Sequence, residues 1–264
     1  MSFCKIFHIL KAIRSVCPSN HINFSKGLFK EQISELHSIS RLSQAMEKKP
    51  KVTERIIIER VTEKDAVEVI ALLKKFFFKD EPLNKAIDLG ECKELEEYSL
   101  KCIPDKCSFK AVNTNGKIIG VFLNGILKKP DPNAEPISLA EKCAHKKFKI
   151  IMSLMDYIDS KFNIFDLYPN ADTILDGKIV SVDDEYRGCG IAGQLTEATL
   201  DYLKQNNIPV MHVMCSSHFS ARVMEKLGFH EVYSLDYNDF LINGEVVLKP
   251  EPPHKSCRIL VKEV

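Results

Sequence analysis

The fold is decided by the stretch Ser181-Val182-Asp183-Asp184-Glu185-Tyr186-Arg187-Gly188-Cys189-Gly190-Ile191-Ala192-Gly193. The apolar, β-branched run from Lys178 to Val182 leads into it and predicts a buried strand. Apolar residues recur at helical spacing after it, up to about Lys204. The glycines therefore lie in a turn that connects a strand to a helix.

This turn has the properties of an anion-binding loop. Glycine has no Cβ atom, so backbone N–H groups can converge on a phosphate, and the N-terminal end of a helix adds partial positive charge. Arg187 adds a formal charge at the mouth of the turn. The stretch lacks the spacing of a P-loop, and its place late in the chain disfavours a dinucleotide site. An ordinary glycine-rich turn is the alternative interpretation.

Composition limits the classes of function. The chain has 264 residues, 45% of them hydrophobic, and a net charge of +1, so we expect one good core and no general affinity for nucleic acid. No apolar run approaches the length of a membrane span. The nine cysteines include no CxxC pair, which indicates free thiols in a reducing compartment and no metal site.

Residues 1–50 differ from the rest of the chain. The first thirty contain lysine and arginine but no acidic residue, and their apolar residues could form one face of a helix. This pattern is compatible with a mitochondrial transit peptide, but modest serine and arginine enrichment favours a disordered or loosely docked extension. We therefore predict an extension over 1–50, a folded domain over 51–264 and a cytoplasmic protein.

The remaining pattern predicts the order β-α-α-β-β-α-β-α-β-α-β-β, a mixed α/β protein built on one sheet. Thr62 to Asp65 is a variant of the capping box that opens the first helix. The boundaries that matter below are strands over Arg55–Val61, Ser108–Asn113, Lys117–Leu127 and Val210–Cys215, a helix over Phe148–Phe162, and a hairpin formed by Val232–Leu241 and Val246–Lys249 across Asn243-Gly244.

Two motifs carry a resemblance to a known superfamily. Arg187, Gly190 and Ala192 fit Arg-x-x-Gly-x-Ala, which resembles the loop that holds the pyrophosphate of coenzyme A in GNAT acetyltransferases. Ala221 to Phe229 resembles the second signature, an amphipathic helix that ends in Gly-Phe. The order of elements is also that of the GNAT fold. The resemblance implies a mixed central sheet flanked by helices, with a splayed strand at the acetyl-CoA site.

A closer resemblance covers nearly all of residues 55–264. The blocks that carry it are Phe76–Asn84, Asp88–Glu96, Phe162–Phe165 and Cys215–Arg222, and they are similar to insect arylalkylamine N-acetyltransferases of the dopamine N-acetyltransferase type. The implied reaction is transfer of an acetyl group from acetyl-CoA to dopamine, tyramine, octopamine or serotonin in a ternary complex. We expect a monomer without metal, nucleic-acid or membrane partners. The alternatives are polyamine substrates, longer acyl donors, protein lysines or a non-catalytic CoA-binding module.

The resemblance also implies the catalytic residues. It assigns the base to Glu81 and places Ser216 and Ser220 in a constellation with that glutamate. From the residues alone, Glu81 is an ordinary loop carboxylate and the serines are helix caps, with Ser217 the clearer cap. Many GNAT enzymes use a tyrosine acid where this chain has Met224.

The residues predicted to bind the donor and the amine complete the site. A backbone N–H near Val182 is implied to polarise the thioester carbonyl. Cys215 could act as an acetyl-accepting nucleophile, but a buried structural thiol is the simpler interpretation. The cofactor set is Ser181, Val182, Arg187, Gly188, Cys189, Gly190, Ile191, Ala192 and Gly193, and the substrate set is Asp80, Phe77, Tyr98, Met155 and His254, of which the apolar members could equally be core.

Overall fold

The computed structural model describes residues 54–131, 133 and 138–264. The predictions for residues 1–50 therefore lie outside the described residues. The first helix, α1, consists of the contiguous pieces Ala66–Leu72, Leu73–Phe77 and Phe78–Asp80. The other helices are α2 (Pro82–Ala86), α3 (Lys93–Leu100), α4 (Leu139–Lys142), α5 (Lys146–Lys161), α6 (Ile164–Leu167), α7 (Ile191–Gln205) and α8 (His218–Lys226).

The strands are β1 (Ile57–Arg60), β2 (Phe109–Val112), β3 (Ile118–Lys128), β4 (Thr173–Val182), β5 (Val210–Cys215), β6 (His230–Asp236), β7 (Leu241–Ile242), β8 (Glu245–Val246) and β9 (Ser256–Glu263). Seven of them form one sheet in the order β1-β2-β3-β4-β5-β9-β6, and β7 and β8 form a separate pair. Only β4 and β5 run parallel to each other in the large sheet. The predicted mixed α/β architecture is confirmed.

The parallel pair is short. Leu175, Asp176 and Gly177 of β4 pair with Met211, His212 and Val213 of β5, and no pairing continues beyond them. β4 nevertheless extends to Val182 and β5 to Cys215, so the two strands diverge towards their carboxyl ends. This divergence is the predicted splay.

Gly177 lies at the last paired position before the splay. A Cβ atom there would lie 2.8–2.9 Å from side-chain atoms of Val213, Met211 and Phe122, closer than real Cβ atoms approach. One residue later, the register between β3 and β4 shifts between Leu123 and Asn124, which leaves Lys178 unpaired as a bulge. Close packing and the bulge together fix where β4 turns away from β5.

The end of α1 places residue 81. The predicted capping box is present, because Thr62 and Asp65 exchange side-chain and backbone hydrogen bonds before the helix. Leu73–Phe77 form a π-helical segment, and α1 ends at Asp80. Glu81 is extended (φ −64°, ψ 123°), since the residue before a proline disfavours the α region. Pro82 then begins α2, as proline does at the first helical position.

The two faces of the sheet carry different packing. The core around Phe122, Leu175 and Met211 includes buried residues of α7 and α8, such as Leu195 and Met224. Residues of α3 and α5 form a second core with Cys257 and Ile259 of β9. A cavity lies between this second helical layer and the sheet. Within the described residues, no helix is long and apolar enough to cross a membrane.

Two predicted boundaries are wrong. β6 ends at Asp236, where Tyr237–Asp239 form a 3₁₀ turn, so the long hairpin over Val232–Leu241 does not form. The Asn243-Gly244 turn joins only the two-residue strands β7 and β8. β4 also begins at Thr173 instead of Lys178. Its first half contains Asp176 and Gly177, which do not read as an apolar strand.

Candidate active site

Glu81 and Ser216 come together although 135 residues separate them. The Ser216 hydroxyl donates a 2.7 Å hydrogen bond to Glu81 Oε1. The other oxygen, Oε2, accepts a 2.6 Å hydrogen bond from the backbone N–H of Asn84, so Glu81 is also the N-cap of α2. The capping role and the predicted catalytic role therefore use different oxygens of one carboxylate.

Glu81 is buried, with 9% of its surface exposed. Burial raises the pKa of its carboxyl, because the charged form loses water, and the hydrogen bonds from Ser216 and Asn84 only partly oppose this. A carboxylate with a raised pKa is a better proton acceptor than a surface glutamate.

Tyr237 approaches the same site from the turn after β6. Its hydroxyl donates a 2.7 Å hydrogen bond to the backbone carbonyl of Ser216, and burial raises its pKa. Met224, at the position of the tyrosine acid in other GNAT enzymes, is buried in the core. A phenol that contacts Ser216 therefore comes from another element, which the sequence did not indicate.

Ser220 lies close to this group but is not joined to Glu81. Its hydroxyl donates a 2.9 Å hydrogen bond to the carbonyl of Ser217 and also interacts with the thiol of Cys215. Ser217 caps α8 through the N–H of Phe219, as expected. Burial raises the pKa of the Cys215 thiol to about 11. The thiolate needed by an acetyl-accepting nucleophile is therefore scarce at neutral pH.

A cavity of about 590 Å³ starts at Glu81 and Ser216, a volume suited to a small molecule. Phe77, Tyr98 and Met155 line it, and the Tyr98 hydroxyl lies 3.9 Å from the Met155 sulfur. These side chains are half-buried because one side of each faces the cavity.

Polar side chains lie at the other end of this cavity. Asp176 forms a 2.7 Å ion pair with Lys178 and lies 3.1 Å from His212 Nδ1. Burial opposes the charge on Asp176, but Lys178 and His212 hold its pKa well below the ordinary value. Asp159 of α5 also lines the cavity; the residue is exposed, but partial loss of water around its carboxyl, together with the charge of Asp176, raises its pKa.

The glycine loop leaves open space in front of its backbone. Gly188 and Gly190 adopt positive φ angles of 84° and 80°, and a Cβ atom on either would meet nothing within 4 Å. Gly190 is the N-cap of α7, and no side chain caps this helix. The N–H groups of its first turn are thus free for an anion, and the loop fits the pyrophosphate of CoA.

The spacing of Gly188, Gly190 and Gly193 also satisfies Gly-x-Gly-x-x-Gly, which is typical of dinucleotide sites in parallel sheets. The surrounding sheet has only one parallel pair and lacks that architecture. Ser181 and Val182 lie beyond the last β4–β5 pair, beside the splay. Ile191 contributes only backbone to the loop, because its side chain is buried in the core with Cys189 packed against it.

Three of the predicted site residues do not lie where direct binding of the donor or the amine would place them. Arg187 donates hydrogen bonds to the Val182 carbonyl and, over 2.9 Å, to Asp80, so the two charges predicted for donor and amine pair with each other. Asp80 is exposed and does not line the cavity. His254 Nδ1 accepts a hydrogen bond from the N–H of His218 and likewise lies outside the cavity lining.

Sequence reasoning missed Asp159, Asp176, Lys178 and His212. The signal that could have identified them is their polarity, since they occupy positions where the alternation of a strand or the spacing of a helix favours apolar residues. Among the described residues, no group of three histidine, cysteine, aspartate or glutamate side chains is placed to hold a metal ion. The described cysteines are free thiols.

Comparisons with known proteins identify the family of the chain. The model of the Acetyltransferase (GNAT) family matches residues 167–229. The structure of arylalkylamine N-acetyltransferase 2 from Aedes aegypti is 33% identical, covers 79% of this chain and 99% of its own, and superimposes with a TM-score of 0.73.

Two further structures share the fold at 22% identity, each covering 80% of this chain and 100% of its own. They are mosquito arylalkylamine N-acetyltransferase like 5b, with a TM-score of 0.72, and a Drosophila melanogaster polyamine N-acetyltransferase that forms N-acetylagmatine, with a TM-score of 0.69. Together with the 33% identity to the Aedes enzyme, the fold and the family match show that this chain is an acyltransferase that belongs to the arylalkylamine N-acetyltransferase family of the GNAT superfamily.

Proposed function

We propose that this protein transfers the acetyl group of acetyl-CoA to the primary amine of an arylalkylamine, such as dopamine, tyramine, octopamine or serotonin. The observation that carries the proposal is the buried Glu81–Ser216 pair at one end of a largely apolar cavity. The relative with 33% identity is named for the same class of substrate.

The chemistry requires a base at this position. An alkylammonium has a pKa near ~10, so releasing its lone pair at neutral pH costs about 4 kcal/mol. Glu81 takes that proton, directly or through water, and its raised pKa suits the task. The apolar walls formed by Phe77 and Met155 accept the ring and exclude bulk water from the amine.

The amine attacks the thioester directly. The raised pKa of Cys215 argues against an acetyl-enzyme, and burial also raises the pKa of the Cys257 thiol, which lines the same cavity. Ser216 passes a proton between Glu81 and the reacting groups, and Ser220 lies one step further away. A CoA thiol has a pKa near ~8.5, so weak acid assistance is enough for its departure.

Acetyl-CoA binds with its pyrophosphate on the loop from Gly188 to Gly193 and its thioester in the splay beside Val182. Arg187 lies at this loop but is paired with Asp80, so the backbone N–H groups at the start of α7 carry the attraction for the pyrophosphate, and Ser181 contributes backbone beside the splay. When bound, the donor supplies the activated acyl group, and the residues of this chain orient it and handle the protons.

The alternatives fit the cavity less well. Its lining contains the carboxylates Glu81, Asp159 and Asp176 and the cations Lys101, Lys142 and Lys178, which balance in charge. A polyamine would require a net negative far end. A protein lysine would require an open groove, whereas the cavity is bounded by helices on one side and the sheet on the other.

The test measures release of CoA thiol with a panel of amines, for the wild type and Glu81→Gln, between pH 6 and 10. We expect turnover of arylalkylamines, and a 10²–10⁴-fold loss of kcat/KM in the variant near pH 7. The loss should shrink at high pH, where the amine is already neutral.

Glu81 must be ionised to accept a proton, so activity that depends on it falls as the pH drops below its pKa. A raised Glu81 pKa moves the acidic limb of the wild-type profile upwards, and Glu81→Gln removes that limb. Donor binding with no turnover of any arylalkylamine would reject the substrate assignment. An unchanged profile in Glu81→Gln would reject the base.

A further inference from the structure

The far end of the substrate cavity contains hydrogen-bonding side chains that the acetyl-transfer step does not use. His212, with 7% of its surface exposed, lines the cavity from β5, and Asp159 lines it from α5. On α5, Phe148, Met152, Met155 and Asp159 face the cavity at intervals of three or four residues. Asp159 thus occupies the next position of an apolar stripe and presents a carboxylate there.

The orientation of His212 follows from its partner. Asp176 is ionised, because Lys178 and His212 lower its pKa despite burial, so the 3.1 Å contact requires a proton on His212 Nδ1. The other nitrogen, Nε2, is then left to bind a ligand, since a ring nitrogen accepts a hydrogen bond in imidazole and donates one in imidazolium. No hydrogen bond joins Nε2 to another described residue.

Asp159 also forms no hydrogen bond or ion pair within the described residues, although the charges of Asp176, His212 and Lys178 act on it. A carboxylate accepts hydrogen bonds only. A carboxylate and an imidazole nitrogen without partners among the described residues therefore line one end of a largely apolar cavity.

The separation of the two ends indicates the size of the ligand. His212, Met214 and Ser216 line the cavity from alternate positions of one extended segment. Four residues of strand place the Cα atoms of His212 and Ser216 about 13 Å apart. Subtracting a hydrogen bond of about 2.8 Å at each end from this separation leaves about 7–8 Å for the length of the ligand. This is the order of length of an extended phenethylamine with a para hydroxyl group.

The charges favour a neutral donor over a second cation. Lys101, Lys142 and Lys178 line the same cavity and offset the carboxylates of Asp159 and Asp176. An ammonium or guanidinium would meet these lysines, whereas a hydroxyl needs only an acceptor.

We propose that Asp159 and His212 Nε2 together bind the ring hydroxyl of a phenolic arylalkylamine, which has one proton to donate and an oxygen that accepts, and make the enzyme selective for hydroxylated rings. Asp176 positions the imidazole and does not touch the substrate. This inference rests on the proposed function of the cavity.

The experiment compares kcat/KM of the full chain for tyramine, phenethylamine and 4-methoxyphenethylamine, with agmatine as the dicationic probe. We expect tyramine to exceed both ring analogues by about 5- to 30-fold, the effect of one hydrogen bond to a charged group. In Asp159→Leu and His212→Phe, tyramine should fall to the level of phenethylamine, whose own kcat/KM stays within about 2-fold.

Asp159→Asn keeps the shape and should give a smaller loss of selectivity. Asp201→Asn, at an exposed aspartate of α7 paired with Lys204, is the matched control and should change nothing. Equal turnover of tyramine and phenethylamine by the wild type, parallel losses on both amines in the variants, or a preference for agmatine would overturn the inference. Absence of turnover with every arylalkylamine would instead reject the proposed function.

Discussion

At the scale of single residues, burial distinguishes reactive groups from inert ones. Glu81 and Cys215 are both buried and both have raised pKa values. For a carboxyl group the shift moves the pKa towards neutrality, which makes a better base. For a thiol it moves the pKa to about 11, away from neutrality, which suppresses the nucleophile.

Cys215→Ala should therefore keep kcat within about 3-fold, because the thiol packs in the core and does not carry the acetyl group. The expected stability loss is about 1 kcal/mol, since a small buried side chain becomes smaller still. Two-substrate initial-rate plots should show intersecting lines in both proteins. Parallel lines in the wild type together with an inactive variant would indicate an acetyl-enzyme.

Residue-scale prediction from sequence had a physical limit. Glu81 could be selected only through the resemblance, because the fold buries a carboxylate that looks like a surface one in the sequence. The sequence likewise could not distinguish the roles of the two serines. Ser216 reaches Glu81, whereas Ser220, one turn into α8, bonds back to Ser217. Which of two nearby hydroxyls reaches a distant carboxylate depends on tertiary geometry.

At the scale of elements, the sequence correctly predicted the helix starts and turns that depend only on neighbouring residues. Glycines before an apolar helix, a capping box and the residue before Pro82 each lie where their backbone preferences require. The failures involve β4 and β6. The first half of β4 contains Asp176 and Gly177 because it lines a cavity and crosses β5 closely, and neither condition is local.

Gly190→Val should raise the KM for acetyl-CoA at least 10-fold and leave the amine KM within about 3-fold. A β-branched residue resists a φ of 80°, so the loop and the first N–H groups of α7 would shift. Gly116→Val is the matched control, because Gly116 has a φ of 77° in the β2–β3 turn. Both should lose similar stability in urea unfolding, but an equal rise in donor KM would show that general destabilisation is responsible.

At the scale of the whole molecule, the large sheet has its shortest strand pairing at the β4–β5 junction, where we propose that the donor binds. β3 and β4 pair over nine residue positions, whereas β4 and β5 pair over three. Gly177 permits that short junction, because its missing side chain leaves room for Val213, Met211 and Phe122.

Gly177→Ala should lower the free energy of unfolding by about 1–3 kcal/mol through overpacking. Gly193→Ala offers the comparison, since the nearest atom to its new Cβ would be 3.6 Å away and alanine favours a helix by up to about 1 kcal/mol. Both are measured by urea unfolding without donor. If Gly177→Ala were as stable as the wild type, the close packing at the junction would not limit the sheet.

The short junction divides the sheet into two half-sheets, β1–β4 on one side and β5, β9 and β6 on the other. A donor bound between the diverging strands would contact both half-sheets and hold them together. The folded state would then gain free energy in proportion to RT ln(1 + [L]/Kd), about 2.7 kcal/mol at a hundredfold excess of donor over Kd. Resistance of this enzyme to heat and proteolysis should therefore rise and fall with the supply of its own acyl donor.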